Sequence, residues 1–189
     1  MLGQLDSKRL HLRDMTPEDA AALFALDQDP EVMRFLGGLI PGDSVERKRA
    51  LLEQRVATYS TTPGLGLGAC FLMTNAEFIG WFMLRPRQYR RYDASGVLLE
   101  PVEHAELGYR LARRFWGQGY ATEMSSTLVR HGFLQLGLPQ IVAFVSPEHA
   151  ASIRVLEKAG LRRAGRARYG DEDHDLYSCA RQDARPSAG

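Results

Sequence analysis

Residues 105–123 read AELGYRLARRFWGQGYATE and contain two glycines, Gly117 and Gly119, that are separated by one residue. The apolar content of residues 105–112 is typical of a strand, whereas a helical pattern begins at Tyr120. The stretch therefore predicts a strand that leads through a glycine turn into the N-terminus of a helix.

A phosphate-binding loop is one interpretation of this turn, and the residue types restrict its kind. A P-loop requires a Lys-Ser/Thr pair after its last glycine, and the chain has none there. A dinucleotide-binding fingerprint requires a third glycine where Thr122 stands. What remains is a helix N-terminus, which attracts a pyrophosphate, with Arg114 nearby to add a charge-assisted contact. A purely structural glycine turn is the alternative that these residues leave open.

The composition of the chain restricts its class. With 189 residues, 44% of them hydrophobic and 25% charged, the chain has the size and composition of a folded domain. A net charge of +1 indicates no nucleic-acid or membrane-surface partner. The start MLGQLDSKRLHLR has no apolar signal region, so we expect a cytoplasmic protein. We expect residues 1–181 to form one domain and residues 182–189 to form a disordered tail.

Hydrophobic periodicity predicts strands and helices in the order β-α-α-β-β-β-α-β-α-β-β, which favours a mixed sheet flanked by helices. Residues 86–102 are polar and are interpreted as a loop. The predicted strands lie at 9–13, 69–75, 78–86, 105–112, 140–146, 161–169 and 174–181. The predicted helices lie at 16–32, 44–59, 120–136 and 149–160.

AELGYRLARRFWGQGYATE at 105–123 and FVSPEHAASIRVLEKAGL at 144–161 together resemble the GNAT superfamily of acetyl-CoA-dependent N-acetyltransferases. The branch that they resemble in particular contains the RimJ/RimL enzymes. The similarity extends to RLHLRDMTPEDAAALFALDQDPEVMRFLGG, IGWFMLRP and DLYSCAR, and so covers roughly residues 6–181. The resemblance implies an α/β GNAT fold, in which a central mixed sheet of about six to seven strands is splayed in the middle and flanked by about four helices.

The same resemblance implies acetyl-CoA as the co-substrate. Arg114-x-x-Gly117-x-Gly119 matches the pyrophosphate loop of the superfamily. In such proteins pantetheine pairs with the backbone of the splayed strand, which here corresponds to Tyr109, Arg110 and Leu111. The residues that the resemblance places around the pyrophosphate are Arg114, Trp116, Gly117, Gln118, Gly119, Ala121 and Thr122.

Acetyl transfer to an amine requires that the amine lose a proton, because a free α-amino group has a pKa of about 8 and a lysine of about 10.4. Glu106 is the candidate base, since the resemblance matches it to the glutamate proposed for this role in RimL-like proteins, acting directly or through water. Glu103 and His104 are alternatives nearby. Glu106 could also be a surface residue, and an ion pair with Arg110 on the same strand face would weaken it as a base.

Ser152 is the candidate for assisting the leaving thiolate. It matches the serine of an Asn-x-x-Ser motif in RimL-like proteins, and a helix-capping role is its structural alternative. His149 stands where many relatives have the asparagine that orients pantetheine. An imidazole can donate one hydrogen bond in its place, or titrate near pH 6.5 and take part in proton transfer.

These residues favour direct transfer of an acetyl group to a primary amine in a ternary complex, since no cysteine occupies a site position. The acceptor class stays open between a protein N-terminus and a small-molecule amine. The alternatives are a non-catalytic acyl-CoA sensor and an acyltransferase for a longer acyl-CoA such as succinyl-CoA. His131 and His174 are isolated, without a second ligand at metal spacing, so they are interpreted as surface or interface residues and no metal is expected. The resemblance also allows a homodimer.

Overall fold

The computed structural model describes residues 1–169 and 172–183. From residue 184 onward, the predicted disordered tail lies outside the described residues. The strands are β1 (Leu5–Asp6), β2 (Leu10–Asp14), β3 (Gly66–Leu72), β4 (Phe78–Tyr92), β5 (Leu98–Leu111), β6 (Gln140–Val145), β7 (Arg162–Tyr169) and β8 (Glu172–Ala180). The helices are α1 (Ala20–Asp27), α2 (Pro30–Met33), α3 (Val45–Tyr59), α4 (Tyr120–Leu134) and α5 (Ala150–Lys158).

Hydrogen bonding links the strands in the order β1-β2-β3-β4-β5-β6-β8-β7. The β5–β6 pair is parallel, whereas the β1–β2, β2–β3, β6–β8 and β7–β8 pairs are antiparallel. The predicted mixed sheet is therefore confirmed. The eight strands and five α-helices of the described residues exceed the expected numbers, because β1 is too short to produce a periodic pattern and the helix predicted at residues 16–32 is divided into α1 and α2.

The helix predicted at residues 16–32 is interrupted at Asp29. Pro30 lacks an N–H and disfavours a helical conformation of the residue before it, and Asp29 has a ψ of 114° accordingly. The Asp29 side chain then accepts a hydrogen bond from the N–H of Glu31 and starts α2.

The interpretation of residues 86–102 as a loop was wrong, because most of them belong to the long arms of the β4–β5 hairpin. Only residues 93–97 connect the two strands, and the Asp93 carboxylate accepts hydrogen bonds from the N–H groups of Ser95 and Val97 in this turn. Tyr89 is 3% exposed and packs in one cluster with Val102. Most side chains of residues 86–102 are polar or exposed and few point into the core, so polar composition concealed the two strand arms.

The chain divides into two compact units, each with its own core. Unit 1 contains Met1–Met83 and Tyr109–Met124, whereas unit 2 contains Leu84–Gly108 and the residues from Ser125 onward. The expectation of a single domain stays a prediction. The core cluster of unit 1 consists of Met15, Ala20, Leu23, Leu52, Leu67, Ala69 and Met83.

The strands of unit 2 pair in a closed ring. Besides the β4–β5, β5–β6, β6–β8 and β8–β7 pairs, β4 pairs with β7, with Arg90 opposite Arg168 and Arg91 opposite Ala167. Every strand of the ring contributes to one buried cluster, which contains Tyr89, Val102, Val142, Phe144, Ala167 and Leu176. The ring therefore surrounds its own small core.

Candidate functional site

The glycine turn in unit 1 has the backbone geometry that its sequence predicts. Gly117 and Gly119 have φ values of 74° and 82°, which residues with a side chain rarely adopt. α4 begins directly after the turn at Tyr120, and the N–H of Glu123 donates to the carbonyl of Gly119 at 3.0 Å. The turn from Gly117 to Gly119 is exposed. Its backbone N–H groups and the positive end of α4 are thus accessible to an anion.

Side chains near the turn brace its backbone. The indole Nε1 of Trp116 donates to the carbonyl of Leu111 at 2.8 Å, although the side chain is otherwise largely exposed. The amide Nε2 of Gln118 donates to the carbonyl of Arg114 at 2.8 Å. Ala121 and Thr122 follow in the first turn of α4, where both are half-buried. The two hydrogen bonds thus connect the turn to the segment that precedes it.

Arg114 already has an anionic partner. Its guanidinium forms an ion pair with the Glu77 carboxylate at 2.9 Å and lies 4.6 Å from the centre of the Phe115 ring. The Arg114 side chain is 62% exposed, so a bound phosphate could still reach it. Its neighbour Arg113 likewise pairs with Asp29 at 3.2 Å.

The C-terminal part of β5 places Tyr109, Arg110 and Leu111 in unit 1. The Tyr109 ring stacks on that of Phe82 at 5.6 Å, and Leu111 is buried. The ion pair considered between Arg110 and Glu106 does not form, because the Arg110 guanidinium donates to Asp27.

Asp27 belongs to a buried charge cluster of unit 1. Lys48 of α3 contacts Asp27 at 2.5 Å and Asp43 at 2.9 Å, and all three side chains are 4% exposed. Arg110 joins the cluster through Asp27 and lies over the Trp81 ring at 5.2 Å. The cluster contains two carboxylates and two cations, so its charges balance.

Glu106 is a buried residue of unit 2, which excludes the surface-glutamate alternative. Only 8% of the residue is exposed. Its Oε2 accepts hydrogen bonds from the Nε atoms of Arg85 and Arg87 at 3.0 and 2.8 Å. His104, on the same strand, instead interacts through Nδ1 with the hydroxyl of Tyr89 at 3.1 Å. The carboxylate is therefore held in a fixed position by two guanidinium groups.

The parallel ladder next to Glu106 is short. Among the described residues, β5 and β6 pair at only two positions, Ala105 with Ile141 and Glu106 with Val142. Both strands continue within unit 2, β5 to Gly108 and β6 to Val145. In a splayed sheet, two neighbouring strands stop hydrogen bonding to each other although both strands continue. The backbone N–H and C=O groups beyond that point then need another partner.

Ser152 and His149 lie at the start of α5 in unit 2. His149 is the N-cap residue, and its carbonyl accepts from the N–H of Ile153 at 3.1 Å. Burial lowers the pKa of His149, so the imidazole is neutral at neutral pH and has one N–H to donate. Ser152 is half-buried inside the first turn.

Neither cysteine is suited to act as a nucleophile. Cys70 and Cys179 are free thiols that are 0% and 5% exposed, as the apolar runs around them suggest. Burial raises the pKa of the Cys70 thiol to about 12, which keeps it protonated and unreactive.

Residues 1–169 and 172–183, which the structure describes, contain neither a candidate metal-binding cluster nor a candidate membrane-spanning helix. No group of three or more His, Cys, Asp or Glu side chains among them could hold a metal ion. No helix in this part of the chain is long and apolar enough to span a membrane.

Sequence reasoning missed Arg85, Arg87 and Arg9 as neighbours of the candidate residues. Arg85 and Arg87 contact Glu106 across the β4–β5 hairpin; Arg85 lies in the strand predicted at 78–86, whereas Arg87 lies in the segment interpreted as a loop. Arg9 contacts Glu123 of α4, which lies 114 positions further along the chain. Recognising the hairpin would have revealed the first two arginines, whereas no local pattern indicates a contact as distant as that of Arg9.

Known proteins resemble this chain over most of its length. A family model for the acetyltransferase (GNAT) domain matches residues 9–162. An uncharacterized N-acetyltransferase of Bacillus subtilis, YoaA, is 33% identical over 165 residues, which cover 87% of this chain and 86% of the relative. The FsC-acetyl coenzyme A-N(2)-transacetylase of Aspergillus fumigatus is 31% identical over 157 residues. This match covers 83% of the chain but only 64% of that relative.

A solved structure gives the same result at the level of the fold. RimL, described as an α-N-protein acetyltransferase in complex with coenzyme A, aligns with a TM-score of 0.71 and 18% identity. The alignment covers 92% of this chain and 95% of that chain. The eight-stranded mixed sheet is thus a GNAT sheet. Because the family model spans residues 9–162, the chain belongs to the GNAT family of acetyltransferases.

Proposed function

We propose that this acetyltransferase moves the acetyl group of acetyl-CoA directly to a primary amine in a ternary complex. The observation that carries the proposal is the exposed turn from Gly117 to Gly119 at the N-terminus of α4, with both glycines at positive φ. Such a turn presents backbone N–H groups to a diphosphate, and Arg114 lies three residues before Gly117. The printed names of YoaA and of the Aspergillus relative agree with N-acetyl transfer.

We propose that acetyl-CoA binds to the residues that the family resemblance implies. Tyr109, Arg110 and Leu111 offer backbone groups to pantetheine, and His149 donates one hydrogen bond to it. The residues around the diphosphate are Arg114, Trp116, Gly117, Gln118, Gly119, Ala121 and Thr122. The combination of this turn with ASIRVLEKAGL at 151–161 favours the RimJ/RimL branch of the family.

Glu106 is the proposed general base. Its carboxylate is buried and pairs with Arg85 and Arg87, which fix its position. These ion pairs also weaken it as a base, as a pair with Arg110 would, so the Glu106→Gln variant is the decisive test of whether it accepts a proton, directly or through water. Ser152 donates a hydrogen bond to the departing thiolate, which needs little assistance because a thiol has a pKa of about 8.5. Direct transfer agrees with the burial of both cysteines.

The acceptor is a primary amine, either a protein N-terminus or a small molecule. The printed description of RimL is of an α-N-protein acetyltransferase, whereas that of the Aspergillus relative is of an N(2)-transacetylase acting on FsC. We propose that the enzyme acts in the cytoplasm. We also propose that its oligomeric state in solution is a homodimer.

The first experiment measures thiol release from acetyl-CoA with a panel of amines and peptides. Turnover on at least one acceptor is expected. Binding of acetyl-CoA without turnover on any acceptor would instead favour a sensor, for which the histidine at position 149 is the specific indication. Faster turnover with succinyl-CoA than with acetyl-CoA would favour an enzyme for longer acyl groups.

Glu106→Gln tests the base. We expect turnover to fall more than about tenfold, as is usual when a general base is lost, while the affinity for acetyl-CoA is retained. Glu100→Gln is the matched control, because Glu100 is exposed on the same strand. Unchanged turnover in Glu106→Gln would remove the assignment and direct attention to His104.

A further inference from the structure

The guanidinium of Arg9 lies against the glycine turn of unit 1. Its Nη1 donates to the carbonyl of Gln118 at 3.1 Å, and its Cζ lies 4.4 Å from the centre of the Tyr120 ring. Its Nη2 lies 3.5 Å from the position that a Cβ on Gly119 would occupy. Arg9 thus contacts the second half of the turn from a segment that directly precedes β2.

Glu123 holds Arg9 in this place. Its Oε2 accepts from the Nε of Arg9 at 2.7 Å, and its Oε1 accepts from the backbone N–H of Arg9 at 2.8 Å. The hydroxyl of Ser7 donates to the same Oε1 at 2.7 Å. Burial alone would raise the pKa of Glu123, but the hydrogen bonds from Ser7 and Arg9 outweigh it and lower the pKa below its ordinary value. Glu123 therefore remains charged.

The contact with Gln118 also fixes the orientation of a peptide group. In a planar trans peptide the C=O and the following N–H point in opposite directions. When Arg9 binds the carbonyl of Gln118, the N–H of Gly119 is turned to the other side of the turn. A fixed N–H direction matters for anion binding, because the donor does not have to be reoriented when the ligand arrives.

We propose that Arg9 is a positioning residue for the diphosphate of acyl-CoA. It orients the Gln118–Gly119 peptide, and its guanidinium compensates the negative charge of Glu123 in the first turn of α4. The inference rests on the proposed function, since it assumes that the turn binds acyl-CoA. Arg9 is 41% exposed, and a surface ion pair contributes little to stability. Its loss should thus affect the cofactor more than the fold.

Arg9→Gln tests the inference through a pair of ligands. Acetyl-CoA carries the diphosphate, whereas S-acetylpantetheine lacks it. We expect the affinity for acetyl-CoA, measured by calorimetry, to fall about tenfold, as loss of one charge-assisted interaction implies. The binding of S-acetylpantetheine and the unfolding temperature should change little. The affinity of the variant should also depend less steeply on salt concentration.

Lys8→Gln is the matched control, because it removes the same charge from an exposed neighbour. Glu123→Gln is a second test, since it releases Arg9 without removing its charge, and it should weaken acetyl-CoA binding in the same selective way. Equal losses for both ligands, or wild-type affinity for acetyl-CoA in Arg9→Gln, would overturn the inference. Absence of acetyl-CoA binding to the wild-type protein would overturn the proposed function, and the inference with it.

Discussion

Asp19 shows how one side chain stabilises the start of a helix and also holds a strand residue in unit 1. Both of its carboxylate oxygens accept from Arg13 of β2 at 2.7 Å, and Oδ2 also accepts from the N–H of Thr16 at 2.9 Å. The residue is 7% exposed. Burial alone would raise the pKa of Asp19, but the hydrogen bonds from Arg13 and Thr16 outweigh it, so its pKa lies below its ordinary value.

Asp19→Asn is predicted to lower the free energy of unfolding at pH 7 by about 2 kcal/mol, because a charge-assisted interaction is lost. Because folding lowers the pKa of Asp19, its contribution to the free energy of unfolding is fully present above the unfolded-state pKa of about 3.9. It is lost as the pH falls through the lower folded-state value. Urea unfolding of both proteins should thus show a difference that disappears in acid.

Glu53→Gln is the control for this prediction, because Glu53 is exposed on α3. It should leave the unfolding midpoint almost unchanged at pH 7. A difference between wild type and Asp19→Asn that stayed constant from pH 7 to pH 2 would contradict the role assigned to the Asp19 charge.

Helices α1 and α3 and strand β5 are connected by the buried cluster of Asp27, Asp43, Lys48 and Arg110 in unit 1. Each element also contributes apolar contacts, but the cluster adds contacts with a fixed geometry. Removing one partner of such a cluster leaves a buried charge uncompensated, which costs more than the pair itself contributes. The cluster thus makes the placement of Arg110, a proposed pantetheine-binding position, dependent on α1 and α3.

Lys48→Met is predicted to lower the free energy of unfolding by about 3–5 kcal/mol, because Asp27 and Asp43 lose their shared cation. Arg49→Met, on the adjacent exposed position, should have little effect. The measurement is chemical unfolding. The double variant Lys48→Met/Asp27→Asn should lose less than the sum of its single variants. Strict additivity would show that the two side chains do not interact.

The closed ring of strands in unit 2 is a property of the molecule that no single element contains. β7 pairs with β8 at one edge and with β4 at the other. A ring leaves fewer unpaired strand edges and surrounds the cluster of Tyr89, Val142, Ala167 and Leu176.

The double variant Arg90→Cys/Arg168→Cys is predicted to form a disulfide on mild oxidation, because directly opposite residues in an antiparallel pair have Cα atoms within disulfide range. Mass spectrometry after digestion detects the cross-link. Arg90→Cys/Arg166→Cys should not form it, since Arg166 is displaced by two residues from the partner position. The buried Cys70 and Cys179 should not compete. Equal cross-linking of both variants would contradict the register.

The sequence by itself determined the elements whose signals are local. The glycines of the turn, the helical pattern from Tyr120 and the apolar run of β6 are patterns within a few residues, and the structure confirms each. Motif resemblance was sufficient for the GNAT family, because the turn and the α5 segment are both specific. The site residues proposed from that resemblance stay predictions.

Only the tertiary structure decided which side chains meet. It placed Arg110 on Asp27 rather than on Glu106, and it turned most of a polar segment at 86–102 into strands that bring Arg85 and Arg87 to Glu106. Such contacts join residues far apart in sequence, and long charged side chains can pair with several partners. Burial and strand register select one partner, and neither is encoded by a local pattern.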